Sequence, residues 1–280
     1  MSLLPVFARA ISAAGLNPEQ RERIKQLSFA DAGHGYDAFG MHRDFVGMGL
    51  VITAGLYESY FRVQSRGHEH LPAKGQAVVV ANHSGTLPTD AAMLWTDIVR
   101  KSNPPRIARP VADHFVPMMP VIGTIFARGG MVGGSRGNAR ALLGAGEMVM
   151  IFPEGVPGIS KHFKDRYHLS DWRVGHVELA IRHQAPVIPV GIVGPEEQMP
   201  QIGKLNVRLL GAPFIPLTLT PIPLPVRYHI LYGPPIPIPD LYRPEQADDP
   251  GAVREAAART RAAVESRLEQ GLAERPGIFK

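Results

Sequence analysis

His83 and Asp90, in the stretch "VVVANHSGTLPTDAAMLW" (78 to 95), are the residues whose types and spacing first suggest chemistry. Histidine ordinarily titrates near about 6.5, so its neutral form is an available base at physiological pH. A carboxylate that accepts one ring N–H fixes the tautomer and leaves the other nitrogen free to take a proton from a hydroxyl. The apolar β-formers from Val78 to Val80 stop at Asn82 and His83, and Pro88 is placed to start a helix. The histidine is therefore expected in a strand-to-helix turn containing Gly85, with Asp90 in the first helical turn. An aspartate there also complements the helix dipole, and a histidine at a strand end is also an ordinary loop residue. The pair by itself is a weak signal.

Two other patterns compete with it. Gly133-Gly134-Ser135-Arg136-Gly137 satisfies G-x-S-x-G and is followed by Asp165 or Asp171 and by His176, His183 or His229, the set a serine hydrolase of lipid esters would need. In a chain with 29 glycines this pattern arises easily by chance, and "RGGMVGG" (128 to 134) is a poor candidate for a buried strand before a nucleophile. "GHEH" (67 to 70) only approximates a zinc-binding cluster and reads as a strand end before Leu71-Pro72. A third class is a basic lipid-binding protein that performs no turnover.

Composition narrows the field. The chain has no cysteine, which excludes disulfides, thiolate metal ligands and a cysteine nucleophile. Its 280 residues, 45 % hydrophobic, suit one main packed domain. A net charge of +5 favours an anionic partner: nucleic acid, a phosphorylated metabolite or an anionic lipid surface. With 7 % aromatic content and no basic or RNA-binding signature, nucleic acid is the weakest of these. No apolar run reaches the roughly 20 residues of a membrane span. "MSLLPVFARAISAAG" lacks the basic lead of a secretory signal, and Ser2 stands where N-myristoylation needs glycine. The expectation is a cytoplasmic protein. "FVGMGLVITAGLY" (45 to 57) has the length of a buried helix or of one lying in the membrane interface.

From residue 60 onward short β-rich runs alternate with helical patterns. Strands are expected at 60 to 65, 76 to 81, 106 to 111, 148 to 152, 186 to 193, 205 to 210 and 227 to 232. Helices are expected at 88 to 100, 115 to 126, 136 to 146 and 171 to 184. This alternation predicts an α/β fold, a layered mixed sheet flanked by helices, whose site collects at the carboxyl ends of strands. Residues 213 to 239 hold nine of the 27 prolines and read as an extended surface excursion around the 227 to 232 strand. A last helix starts at Asp249-Pro250 and carries Val253, Ala257, Val264, Leu268 and Leu272 on one side. Residues 3 to 27 form a further amphipathic region, broken near Gly15 to Pro18.

The first block is followed by "GTIFARGG" (123 to 130), "IFPEGVPG" (151 to 158) and "APVIPVGIVG" (185 to 194), each at or beside a strand end. In this order and spacing, over roughly residues 60 to 235, the chain resembles the glycerolipid acyltransferase superfamily of the lysophosphatidate acyltransferase type. The resemblance implies an α/β layer with an N-terminal helical, membrane-facing element in residues 1–58 and an acyltransferase domain with its C-terminal helix in residues 59–280. It implies transfer of an acyl group from an acyl-CoA or acyl-carrier-protein thioester to a hydroxyl of a lysophospholipid, glycerol phosphate or neutral glycerolipid, on a protein peripheral to the membrane. No metal or organic cofactor is implied.

By the same resemblance His83 is the general base and Asp90 its orienting carboxylate. Arg128 is the basic residue that meets an acceptor phosphate, Phe152, Pro153, Glu154 and Gly155 border the acceptor site, and Val187 to Val190 line the acyl side. Two departures stand out. Six residues separate His83 from Asp90 where the family usually has four, a form closer to the monoacylglycerol and diacylglycerol acyltransferase-like branch. The third block continues Val156-Pro157-Gly158 instead of Thr-Arg-Ser, so a phosphate contact is missing unless Lys161, Lys164 or Arg166 replaces it. Backbone N–H groups near Gly85 or Gly155 are candidate oxyanion donors.

Overall fold

The computed structural model describes residues 4–85, 87–207 and 214–280. Three helices come first: α1 (Leu4–Gly15), α2 (Pro18–Gln26) and α3 (Arg43–Gly55). The break between the first two is a capping box. Asn17 Oδ1 accepts from the Gln20 N–H at 2.8 Å, Gln20 Oε1 accepts from the Asn17 N–H at 3.2 Å, and Pro18 takes the first helical position. Most of the apolar 45 to 57 segment lies in α3, where Phe45, Val46, Met48 and Leu50 are buried while Ile52 is 57 % exposed. Among the described residues no helix is long and apolar enough to cross a membrane.

After a single π-turn (Leu56–Tyr60) the chain enters β1 (Gln64–Arg66), β2 (Ala77–Ala81), α4 (Thr89–Lys101), β3 (Ala108–Ala112), α5 (Ile122–Arg128), β4 (Val132–Gly133) and α6 (Arg136–Gly144). It continues through β5 (Met148–Ile151), the one-turn α7 (Val156–Ile159), α8 (Gly175–Arg182), β6 (Val187–Val193) and the one-turn α9 (Pro195–Gln198). The last elements are β7 (Gln201–Leu205), β8 (Ile215–Thr218), β9 (His229–Tyr232), the one-turn α10 (Ile238–Leu241) and α11 (Pro250–Glu274).

Seven strands form one mixed sheet in the order β1-β9-β6-β2-β5-β3-β4, parallel except where β9 runs against β6. Strand β2 lies centrally, all five of its residues buried because helices cover both faces. Alternation divides its side chains. Val79 and Ala81 join a core with α4 and the N-terminal helices, and Val78 and Val80 join a second core with α6, α8 and α11. Each fully buried valine contributes roughly 1.5–3 kcal/mol. The C-terminal helix begins at the expected place, capped by Asp249, whose carboxylate accepts from the Gly251 N–H at 2.8 Å.

Several elements differ from their sequence expectation. The helix expected at 115 to 126 is a 3-10 turn at Val116–Met118 followed by α5, because Pro117 and Pro120 interrupt it. The 60 to 65 strand is reduced to β1, displaced by the π-turn. The 171 to 184 helix shortens to α8. The strand expected at 205 to 210 lies upstream as β7, and residues 208–210 of that expectation fall outside the described residues. The proline-rich excursion contains β8, paired antiparallel with β7, and the turn α10. His68–His70 is a 3-10 turn, not a strand end.

A buried carboxylate ties the helical layer to the sheet. Asp97 on α4 accepts from the hydroxyls of Tyr57 at 2.5 Å and Tyr232 at 2.7 Å, all three residues being buried. Asp97→Ala would leave two buried hydroxyls without their acceptor and is expected to cost about 2–4 kcal/mol. Urea unfolding reads this directly, and an unchanged midpoint would show that the clasp carries no stability.

Candidate active site

The central strand delivers Asn82 and His83 to the carboxyl edge of the sheet. Asn82 locks that end in place: its Nδ2 donates to Ile192 O at 3.1 Å, and its Oδ1 accepts from Ile192 N at 2.8 Å on the neighbouring β6. The chain then turns through Gly85, whose φ of +88° is the left-handed conformation glycine adopts without strain. Pro88 caps α4 and Asp90 lies in its first turn.

This turn closes the distance that the longer spacing left open. His83 Nδ1 lies 2.6 Å from Asp90 Oδ2, and the same oxygen accepts from the Ser84 N–H at 2.9 Å. Asp90 is fully buried, while the His83 side chain is 17 % exposed. The carboxylate accepts the Nδ1 proton, so Nε2 is left as the basic nitrogen. Phe152 stacks on the imidazole with ring centres 4.5 Å apart. Burial alone lowers the titration of His83, but the Asp90 carboxylate, supported by Glu154 and Asp113, overrides it and raises the imidazole above its usual range.

The start of α4 is held by a ring of hydrogen bonds. Thr89 Oγ1 meets Tyr228 Oη at 3.0 Å and Gln198 Nε2 at 2.5 Å, and the Tyr228 hydroxyl donates to Gln198 Oε1 at 2.8 Å. On the other side, Glu154 Oε1 accepts from the His83 backbone N–H at 2.9 Å and Oε2 from the Ser170 N–H at 2.7 Å. The one-turn α7 presses directly on the end of the chain leaving β2: a Cβ on Gly158 would sit 2.9 Å from both His83 Cβ and His83 O. Gly158→Ala is therefore expected to displace His83 and reduce turnover by about tenfold, since small misplacements of reacting groups are costly. Steady-state kinetics beside an unchanged far-UV spectrum checks this, and undiminished turnover would remove the steric argument.

His83 lines a cavity of about 410 Å³ at the carboxyl ends of β3 and β5. One wall is apolar and comes from α3, α4 and α5, with Phe45, Ile52, Trp95, Ile125 and Phe126. The opposite wall comes from α6 and α8, with Ser135, Arg136, Ala139, His176 and Leu179. Phe152, Pro153 and Gly155 also line it. Gly155 N–H is used on Phe152 O at 3.1 Å.

The remaining candidates lie elsewhere. Glu154 sits beneath His83, as described. Arg128 donates to Gly40 O at 3.0 Å, and its guanidinium lies 4.3 Å over the Tyr36 ring. Lys161 is buried between Glu196 at 2.9 Å and Glu154 at 3.2 Å. Burial opposes its charge, but the two carboxylates raise its titration and keep it protonated. None of the three lines the cavity. Arg136 and Arg173 do line it, and sequence reasoning gave neither a place there. The only signal was the arginine inside "GGSRG".

Ser135 is a helix cap. Its Oγ accepts from the Asn138 N–H at 3.1 Å, its backbone is ordinarily extended, and among the described residues it makes no hydrogen bond to a histidine. Among the described residues no group of three or more histidine or acidic side chains is arranged to hold a metal.

The Acyltransferase family model matches residues 62–193, the stretch containing the His83 turn, the Phe152 block and β6. The uncharacterized protein Rv0502 of Mycobacterium tuberculosis is 38 % identical over 234 residues, covering 80 % of this chain and 65 % of the relative. The uncharacterized protein ML2427 of Mycobacterium leprae is likewise 38 % identical, over 80 % of this chain and 64 % of its own length. The chain thus spans about 65 % of the length of these relatives. The crystal structure of the 1-acyl-sn-glycerophosphate acyltransferase PlsC from Thermotoga maritima superposes with a TM-score of 0.55 at 16 % identity, covering 98 % of this chain and 97 % of that one. That likeness is one of fold. Residues 62–193, which carry the His83 turn, thus match the Acyltransferase family model, and over that stretch the chain is similar to this family.

Proposed function

We propose that the protein transfers an acyl group from a CoA or carrier-protein thioester to the hydroxyl of a glycerolipid-type acceptor, with His83 as general base. The observation that carries this reading is the 2.6 Å bond from His83 Nδ1 to Asp90 at the wall of an apolar cavity. As the acceptor oxygen attacks the thioester carbonyl, its proton passes to His83 Nε2, and Asp90 stabilises the imidazolium that forms. When the tetrahedral intermediate collapses the C–S bond breaks, the ester forms, and the imidazolium returns its proton to the departing thiolate. No covalent acyl-enzyme is needed.

The apolar wall suits the acyl chain. Ile52 belongs to that wall and is also exposed, as are Val6 and Phe7 on the packed α1, which supports a peripheral seat on a membrane that supplies lipid substrate. Thiol release from acyl-CoA in the presence of lysophospholipid, monoacylglycerol or diacylglycerol tests the reaction. Release that depends on an acceptor supports it, and release that is indifferent to every acceptor overturns it.

The same assay separates acyl transfer from ester hydrolysis at Ser135. Ser135→Ala removes a helix cap, so a cost of about 1 kcal/mol in stability is expected, with turnover essentially intact. Abolished turnover in a folded Ser135→Ala protein would instead make that serine the nucleophile.

A further inference from the structure

Three of the basic residues expected to meet a phosphate are already engaged. Arg128 is held by Gly40 and Tyr36, Lys161 by two glutamates, and Arg166 lies 4.7 Å over the Phe163 ring. A different set is under-compensated. Arg136 and Arg140, one turn apart on α6, and Arg182 on the facing α8 converge on one carboxylate, Glu178, at 3.5, 3.0 and 3.6 Å. Arg182 has a second partner in Asp248 at 2.6 Å. Among the described residues Arg136 and Arg140 have no other carboxylate. Three guanidinium charges therefore face two acids. Glu178 is only 13 % exposed, whereas Arg136 is 73 % exposed.

The position of this row relative to the cavity gives it a use. Arg136 lines the cavity at the first residue of α6, and Arg140 follows about 6 Å further along the helix. The first turn of α6 holds no acidic residue, so the positive end of the helix reinforces the same field. A neighbouring group feels it: burial lowers the titration of His183, and Arg140 and Arg182 lower it further. Guanidinium groups bind phosphate through paired N–H donors, and a glutamate shared three ways leaves donors to spare.

We propose that Arg136 at the cavity lip, with Arg140 one turn behind it, forms a phosphate-binding site, filled by the phosphates of a CoA thioester or by the phosphate of a lysophospholipid acceptor. The proposal rests on the acyl-transfer reading for its choice of ligands, and the row itself is independent of His83. A substrate seated there places its anionic end against the α6 and α8 wall while its acyl chain follows the apolar wall.

Calorimetric titration of the full chain with CoA and, separately, with lysophosphatidate is the test, paired with kinetics on phosphate-free counterparts, an acyl-pantetheine donor and a monoacylglycerol acceptor. In the Arg136→Gln/Arg140→Gln double variant, binding of one phosphorylated ligand is expected to weaken about tenfold, the loss of one charge-assisted contact. Glu178→Gln removes the competing carboxylate and is expected to tighten the same ligand several-fold, a sign that general destabilisation cannot imitate. A KM increase confined to acyl-CoA assigns the site to the donor, and one confined to lysophosphatidate assigns it to the acceptor. Unchanged affinity for both ligands in a folded double variant overturns the proposal. Arginine-dependent CoA binding by a protein that transfers no acyl group would preserve the phosphate site and refute the acyl-transfer reading alone.

Discussion

His83→Ala is expected to lower kcat by about a hundred- to ten-thousand-fold, the range over which general-base catalysis contributes, with KM for acceptor changing far less. The imidazole lies on the cavity wall, stacked on Phe152 and anchored by Asp90, and no other described residue holds that position. What activity remains would come from substrate positioning and from donors around the thioester carbonyl. The variant also leaves the buried Asp90 carboxylate short of one donor, so a stability cost of about 1–3 kcal/mol is expected, and kcat is read at a temperature where the variant is folded. Single-turnover measurement with a radiolabelled acyl group reads the chemical step. A rate within threefold of the parent would remove His83 from the mechanism.

Asp90→Asn carries the second large effect, about a thousand-fold in kcat, in line with losses seen when an orienting aspartate is replaced by its amide. The buried carboxylate accepts both the His83 ring proton and the Ser84 N–H. Both donors share one carboxylate oxygen while the other accepts from the Ala91 N–H at 2.7 Å, so an amide must set its own N–H against either Ala91 or the imidazole, and it carries no charge to stabilise the imidazolium. The pH profile adds a signature. His83 is raised above its ordinary range, so in the parent the neutral base accumulates, and the rate climbs, only as pH passes that raised value. Burial opposes the charged form, so loss of the Asp90 charge moves this acidic limb to lower pH even as the plateau falls. The stability term has the opposite profile: the imidazolium–carboxylate pair stabilises the fold below the ordinary histidine range and fades as pH rises through the raised value. A limb that stays in place in Asp90→Asn would dissociate Asp90 from the titration of His83.

The parts of this arrangement that were legible in the sequence are those fixed by local patterns. Val78 to Val80 and the 186 to 193 run are apolar and β-rich because both faces of those strands are covered, and α4 and α11 announce themselves through Pro88 and Asp249-Pro250. Less legible were elements that gain their order from neighbours. β4 is two residues in a glycine-rich run, paired only with β3, and β8 lies among prolines, paired with β7. The site follows the same division. His83 and Phe152 could be read from their blocks, but spacing could not show that the Gly85 turn brings Asp90 within 2.6 Å. Glu154 was expected beside the acceptor and is found holding the backbone of His83, a role created by the approach of β5 to β2. Lys161 was expected to be available to an anion, and its two carboxylate partners are distant enough in sequence that no local pattern joins them.

The cavity at the sheet edge is lined from two separate stretches of the chain. One wall is drawn from residues before 129, with Trp95 in one packed core, and the wall that carries Ser135, Arg136 and His176 is drawn from residues after 133, with Ala139 and Leu179 in another. A side chain grown at Gly49, where a Cβ would stand 3.1 Å from the Trp95 ring, alters the first wall without touching Arg136 on the second. On the proposed reading, acyl-chain fit and headgroup fit would be set by separate stretches of the same gene, and either could change while His83 stays undisturbed.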